Sequence, residues 1–354
     1  MKKTEIRTCF ILIILSVIIA NACNQVESKH FLFETELTTY QRFPIHKALS
    51  PDGLHTYKDY LIISQVNNSG SSVDFFFEAY IHSDFTYAGS FGRRGRGPNE
   101  WINLDVVGAT SNPPYFYFWD VSSRSPTAVI HKMIIDSTIH LMEVDTFHVQ
   151  KGLCFMNHPV IKNDSLLVFD EYSPEPALRV HHLNHKKPVL TWTWGSLPIA
   201  VRAYDENYGR LLANESCIMF VYLYKNMIDF MDWDLKLVKR LNYQNGKPVI
   251  VYDSSDNVEY YRNSYLGEHF LYCFFLGMST NERKATSNLS LALEVYDMNG
   301  TPVYRYTFSD PSPHDRFTVD ESTFTLYGYR GDYGMEDFIY VYQLPGLKEY
   351  LEQK

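Results

Sequence analysis

Glu294-Val-Tyr-Asp-Met-Asn-Gly-Thr-Pro-Val-Tyr-Arg-Tyr-Thr-Phe308 places two β-rich runs on either side of Asn299-Gly300. An Asn-Gly pair accepts the positive φ angles of a type I′ turn, so the stretch predicts a β-hairpin. Similar stretches run from Glu78 to Gly89, from Leu178 to Trp192 and from Asp229 to Leu241, with a weaker copy from Ala128 to His148. Their period is roughly 50 residues, near that of propeller blades in kelch and WD40 arrays. A more hydrophobic run precedes each hairpin: Tyr60–Ser64, Tyr115–Trp119, Ser165–Phe169, Ile218–Tyr222 and His269–Phe275. That order suits a blade, with inner strands packed between neighbours and more polar strands outside.

The expected fold is therefore all-β, a six-bladed β-propeller. Five or seven blades are the alternatives, because 244–292 is long and irregular. Helical spacing is hard to find after residue 30. Asp337–Gln343 reads as a last strand without a following partner, and Phe31–Leu37 could pair with it. Such pairing of N- and C-terminal strands would close the ring and remove a long free sheet edge. Two β-sandwiches are the rival architecture, but no Pro/Gly/Ser-rich linker divides the chain, and the repeat runs through its middle.

The N-terminus follows a different logic. Lys2, Lys3 and Arg7 precede an apolar run from Phe10 to Ala20 interrupted only by Ser16, and Ala20-Asn21-Ala22-Cys23 closes it with small residues and a cysteine. This is the pattern of a lipoprotein signal peptide. The run is too short for a spanning helix, which needs about 20 apolar residues. The expected organisation is a signal peptide over 1–22, a lipidated tether over 23–29 with the acyl chains on Cys23, and a propeller over 30–354. Two or three acyl chains would anchor the protein stably. Cleavage leaves 332 residues with a formal charge of −11, 29 Lys and Arg against 40 Asp and Glu. Such a domain is a poor partner for nucleic acid. With only Glu27 soon after Cys23, the reading leans to the periplasmic side of the outer membrane in the cell envelope. Cys154, Cys217 and Cys273 sit in apolar runs with no CxxC spacing, which reads as buried free thiols.

Chemistry concentrates in Gly92-Arg-Arg-Gly-Arg-Gly-Pro-Asn-Glu-Trp101. Arg93, Arg94 and Arg96 could hold a carboxylate or phosphate through paired hydrogen bonds, and Trp101 could stack on a sugar. The competing reading is a structural loop whose arginines pair with Glu100 and nearby acids. A P-loop is excluded, because Pro98 and Asn99 stand where Lys and Ser/Thr are required.

Phe91-Gly-Arg-Arg-Gly-Arg-Gly-Pro-Asn-Glu100 resembles the Gly-x-x-Gly-x-Gly-Pro-x-Glu signature of the TolB-like six-bladed propeller lipoproteins of Bacteroidetes. Cys23 with its signal peptide, Leu49-Ser-Pro-Asp-Gly-Leu54 and the blade spacing fit as well. The resemblance spans nearly the whole mature chain. It implies a six-bladed propeller on a lipid anchor and no particular activity.

No HExxH or GxSxG motif is present, and no metal or other cofactor is expected. His181 and His182 would face opposite sides of a strand, so with His185 they read as solvated surface. Trp119-Asp120 and Trp233-Asp234 are too isolated to define a WD repeat. The favoured function is non-catalytic binding of a protein, peptide or glycan, with Arg93, Arg94, Arg96, Glu100 and Trp101 as contacts. The alternative is an envelope enzyme acting on polysaccharide through carboxylates at the funnel, drawn from Asp105, Asp120, Asp170, Glu171, Asp205, Glu206, Asp253 and Asp256.

Overall fold

The computed structural model describes residues 29–45, 51–65, 74–102, 104–110, 115–120, 127–150, 156–171, 177–183, 189–193, 206–244, 250, 255–286, 291–309, 316–330 and 338–354. Cys23, Cys154, His185, Asp205 and Asp253 lie outside them.

Strands β1 (Phe33–Leu37) and β2 (Gln41–Pro44) come first. Then the chain folds into up-and-down meanders of antiparallel strands. The first is β3 (Pro51–Tyr57), β4 (Tyr60–Gln65), β5 (Phe75–Ile81) and β6 (Tyr87–Arg93); the second is β7 (Leu104–Ala109), β8 (Phe116–Asp120), β9 (Thr127–Ile135) and β10 (Leu141–Gln150). The third is β11 (Met156–Lys162), β12 (Leu166–Glu171), β13 (Ala177–His182) and β14 (Leu190–Thr193), joined to the second where β7 and β11 run parallel. The fourth is β15 (Gly209–Ala213), β16 (Ile218–Tyr222), β17 (Met227–Met231) and β18 (Leu237–Asn242). The fifth is β19 (Val258–Leu266), β20 (Phe270–Ser279), β21 (Ala292–Asp297) and β22 (Pro302–Phe308), with helix α1 (Thr280–Ala285) between β20 and β21. The last, β23 (Arg316–Asp320), β24 (Thr325–Tyr329) and β25 (Phe338–Gln343), precedes helix α2 (Leu347–Glu352).

The expected hairpins are third and fourth strands, and the hydrophobic runs before them are second strands. The first strands, nearest the axis, escaped the sequence reading. Hydrophobic cores sit between one meander and the next. Phe77 and Phe91 meet Phe116 and Phe118; Trp119 and Ile130 meet Leu167 and Phe169; Val168 and Val180 meet Ile218 and Phe220. Leu54 and Ile63 of the first meander pack with Tyr327, Ile339 and Val341 of the last. Both faces of these sheets are covered, which is why the second strands are apolar without alternation. The arrangement is all-β and propeller-like.

One turn recurs where third strands meet fourth strands. The carboxylates of Asp136, Asp232 and Asp297 each accept the backbone N–H groups two and four residues on, at 2.8–2.9 Å. The residue three after each aspartate is left-handed: Ile139, Leu235 and Gly300. Asn299-Gly300 is therefore not a two-residue type I′ turn. Only Gly300 has positive φ, and the third-strand aspartate sets the turn. Ile139 and Leu235 tolerate that backbone because their side chains are buried in inter-meander cores.

Two further expectations need correction. Phe33–Leu37 does not pair with the C-terminal strand; β1 runs parallel to β22, with Phe33 stacked on Tyr304 at 4.8 Å. The strand that pairs with β25 is β2, where Phe43 stacks on Phe85 at 3.6 Å and the Arg42 guanidinium lies 4.8 Å from the Phe338 ring centre. Short helices also occur. The start of α1 is a capping box, in which Ser279 and Glu282 satisfy each other's backbone N–H groups.

Candidate functional site at the mouth of the axis

In these meanders, the second-to-third connections and the links to the next meander leave from one end, and the other turns lie at the opposite end. Connections at the first end reach 15 residues (194–208 and 243–257), whereas opposite turns can be as short as 2 residues (58–59) or 3 (163–165 and 267–269). First strands begin at the long-connection end, and there they carry charge: Asp52 on β3, Asp105 on β7, His158 on β11, Arg210 on β15 and Arg316 on β23.

Two of these side chains reach across to a neighbouring meander. Arg316 donates from Nε to the Asp52 carbonyl at 2.5 Å and from Nη2 to the Asp52 carboxylate at 3.4 Å, so the last meander grips the first. Arg210 donates from Nη1 to Asn263 Oδ1 at 2.6 Å, while its Nε is buried without a hydrogen-bond partner. His158 Nδ1 lies 2.9 Å from Asp170 Oδ1; Asp170 is fully buried, and its Oδ2 has no partner. Deeper along β3, His55 Nε2 lies 3.5 Å from Ser64 Oγ, with its ring edge-on to Phe116.

Burial, with the facing Arg210 charge, pulls the His55 pKa down to about 4. Burial and Arg316 lower that of Arg210 to about 10, against the pull of Asp170 and Asp52. Asp105 is raised by burial and by the like charge of Asp52. The Asp105 side chain is exposed to solvent. These mutual effects reach from the fourth meander to the first, third and last, and from the first to the second. Two guanidinium groups among carboxylates can hold an anionic group on one side and hydroxyl or amine donors on the other. Among the described residues, no group of three or more His, Cys, Asp and Glu side chains could hold a metal ion.

The glycine- and arginine-rich loop links the first meander to the second at the same end. Arg93 ion-pairs with Glu100 at 3.4 Å, and the Glu100 carboxylate accepts the Gly97 N–H at 2.8 Å. The Gly95 N–H donates to the Trp101 carbonyl at 3.0 Å, and the Trp101 N–H to the Arg93 carbonyl at 3.0 Å. The Trp101 indole packs edge-on to Phe118 at 5.7 Å and is not displayed for stacking on a sugar. Arg94 lies over the Phe76 ring at 4.0 Å. Arg93 and Arg96 remain exposed at the rim. A Cβ on Gly95 would fall inside the Glu100 carboxylate. Gly95→Ala is therefore expected to displace Glu100 and lower stability by about 1 kcal/mol, read as a shift in urea midpoint. An unchanged midpoint would show that Glu100 does not hold the loop.

Of the carboxylates noted in the sequence, Asp105 and Asp170 reach the mouth. Glu171 is paired to Arg179, Glu206 lies 3.7 Å from Lys225, and Asp256 accepts from Asn281 at 2.5 Å. Sequence reading missed His55, His158, Arg210, Asn263 and Arg316. For His158, Arg210 and Arg316 the signal was an ionisable residue near the start of the first strand, as in Gly209-Arg-Leu-Leu-Ala213; Asn263 and His55, within β19 and β3, had none. His181 is not solvated surface: it is 3 % exposed and packs on Phe169, because both sheet faces are covered there. Cys217 and Cys273 are free thiols, with Cys273 fully buried.

No family model matches the chain, and no curated protein matches it. Solved structures do. A DUF4221-family protein from Bacteroides vulgatus superposes with a TM-score of 0.55 at 11% identity, covering 87% of this chain and 96% of that one. A Bacteroides fragilis protein gives 0.47 at 11% identity (88% and 98%), and BamB from Moraxella catarrhalis 0.38 at 11% (87% and 100%). At such identity the likeness to the DUF4221-family protein is one of fold alone, and no comparison shows the TolB-like family.

Proposed function

We propose that this chain is a six-bladed, TolB-like propeller of an envelope lipoprotein that binds a protein, peptide or glycan at the mouth of its axis without catalysis. The β2–β25 pair completes the last blade, Cys23 carries the lipid, and the domain stands on the periplasmic side of the outer membrane. Five four-strand meanders, together with β2 joined to β23–β25, support the blade count. The signal pattern ending at Cys23 supports the anchor. Among the described residues no helix is long and apolar enough to cross a membrane.

The observation that carries the binding reading is Arg210, whose buried Nε has no hydrogen-bond partner and whose charge feels Arg316, Asp170 and Asp52. An anionic group between two guanidiniums relieves their repulsion and gains charge-assisted hydrogen bonds. Arg93 and Arg96 form a second rim for the same ligand. The test is calorimetric titration with oligogalacturonate and with a glutamate-rich peptide. Arg210→Ala and Arg316→Ala should each weaken the binding probe about tenfold or more, about 1.4 kcal/mol, and Arg96→Ala less. Binding that survives Arg210→Ala and is lost in Arg96→Ala would move the site to the loop. Failure of both probes would defeat an acid-binding mouth.

The raised Asp105 beside Asp52 favours a second reading, hydrolysis of polysaccharide with Asp105 as acid and Asp52 as base. Release of reducing sugar that disappears in Asp105→Asn would select it.

A further inference from the structure

Lys29 sits in a cage of aromatic and acidic side chains. Its ammonium pairs with the buried Glu294 carboxylate, donates to the Tyr261 hydroxyl at 3.1 Å and reaches Asn226 Oδ1 at 3.5 Å. Four rings surround it, with centres at 3.9 Å (Phe275), 5.1 Å (Tyr261), 5.2 Å (Tyr243) and 5.9 Å (Phe31). Aromatic faces and a buried carboxylate make a cage for a cation. Arg305, the cross-strand partner of Glu294, closes its far side at 3.9 Å. Burial lowers the Lys29 pKa and raises that of Glu294, so each charge depends on the other. The cage is built from the fourth and fifth meanders, and Lys29 locks the chain into the seam between them.

The residues that follow point outward. Leu32 is 57 % exposed and Phe33 47 % exposed, side by side at the start of β1 on the outer edge of the fifth meander. Five residues separate Cys23 from Lys29, six steps along the chain and a reach of about 20 Å at most. A lipid on Cys23 therefore cannot place this edge far from a bilayer surface. Glu34 and Glu36 are exposed beyond it, which disfavours an anionic headgroup layer.

We propose that Lys29 is a latch that fixes the tether to the propeller, so that Leu32 and Phe33 seat the edge of the fifth meander on a zwitterionic lipid surface. The domain is then held in one orientation. This rests on lipidation of Cys23, and the test separates the two. The full precursor, with Cys154→Ser and Cys217→Ser, is matured in cells, its N-terminal peptide weighed, and the protein placed in phosphatidylcholine–phosphatidylethanolamine vesicles. Spin labels are attached at Leu32→Cys, Phe33→Cys or, as reference, the exposed Val144→Cys on β10. Labels at 32 and 33 should be severalfold less accessible to a water-soluble nickel chelate than the label at 144, and more accessible to oxygen. Lys29→Ala should erase that contrast while the protein stays folded and membrane-bound. An unacylated Cys23 peptide overturns both the anchor and the seating. Acylated protein with 33 as nickel-accessible as 144 overturns the seating alone, as does shielding of 33 from both reagents, which indicates a covering protein. A contrast that persists in Lys29→Ala overturns the latch.

Discussion

Asp229→Ala should cost the fold about 3–5 kcal/mol, the range for removing one partner of a buried ion pair. Asp229 is fully buried on β17. Its two oxygens accept from Arg240 Nε at 2.6 Å and Nη2 at 2.7 Å, and the Tyr222 hydroxyl donates to it at 2.8 Å. Arg240 lies directly across the strand pair, so the fork meets the carboxylate without bending either backbone. Removing the carboxylate takes away the acid that the half-buried Arg240 guanidinium and the buried Tyr222 hydroxyl share. Against a total stability of about 5–15 kcal/mol, that loss brings the chain close to its threshold. The double change Asp229→Leu with Arg240→Met should recover most of it, since apolar replacement of a buried pair is often neutral or better. Guanidinium unfolding of the wild type and the two variants decides the matter. A single-variant loss under about 1 kcal/mol would mean that the pair contributes little beyond a surface bridge.

The second large effect is loss of stability in mild acid. Burial lowers His55 to about 4, helped by Arg210, and lowers His181 to about 4, helped by Arg179. The unfolded chain takes up protons near pH 6.5, and the folded one resists until about pH 4. Stability from keeping these rings neutral is thus complete above 6.5 and drains away as pH falls toward 4, on the order of 2 kcal/mol for each histidine. Asp105, Glu294 and Glu321 are raised mainly by burial and act in the opposite sense. The variant difference, rather than the wild-type curve, isolates the histidines. His55→Gln and His181→Gln should each flatten the change in urea midpoint between pH 7 and pH 4.5. Variants as acid-sensitive as the wild type would refute the assignment.

The parts of this fold legible in the sequence are those whose local chemistry agrees with their tertiary role. Third and fourth strands announce themselves because an aspartate- or glycine-bearing turn stands between alternating runs, as at Asp232 and Asp297. Second strands do so because Ile218–Tyr222 and its counterparts are covered on both faces. First strands are opaque for a functional reason. They carry Asp52, Asp105, His158, Arg210 and Arg316 toward the axis, and a charge at the head of a short run reads locally as a loop. The loop at Arg93–Trp101 was conspicuous in sequence, yet much of its chemistry holds the loop itself: Arg93 meets Glu100, Glu100 meets Gly97, and Trp101 enters the core. Pairing of the N-terminal region with β25 was legible as a need for edge closure. Which segment supplies it depends on Phe43 meeting Phe85 and Phe33 meeting Tyr304, contacts between residues far apart in the chain. The cage around Lys29 has no sequence signal, because its members are drawn from four strands and two connections.

The proposed binding site at the axis is tested most directly by following the histidine ring resonances of the isotope-labelled domain during titration with oligogalacturonate. His55 and His158 line the mouth, whereas His131 sits beside Trp101 under the arginine-rich loop, with ring centres 6.3 Å apart. A ligand at the mouth should shift the His55 and His158 signals in a saturable way and leave His131 in place. Saturable shifts at His131 with His55 and His158 unmoved would contradict the account and assign recognition to the loop.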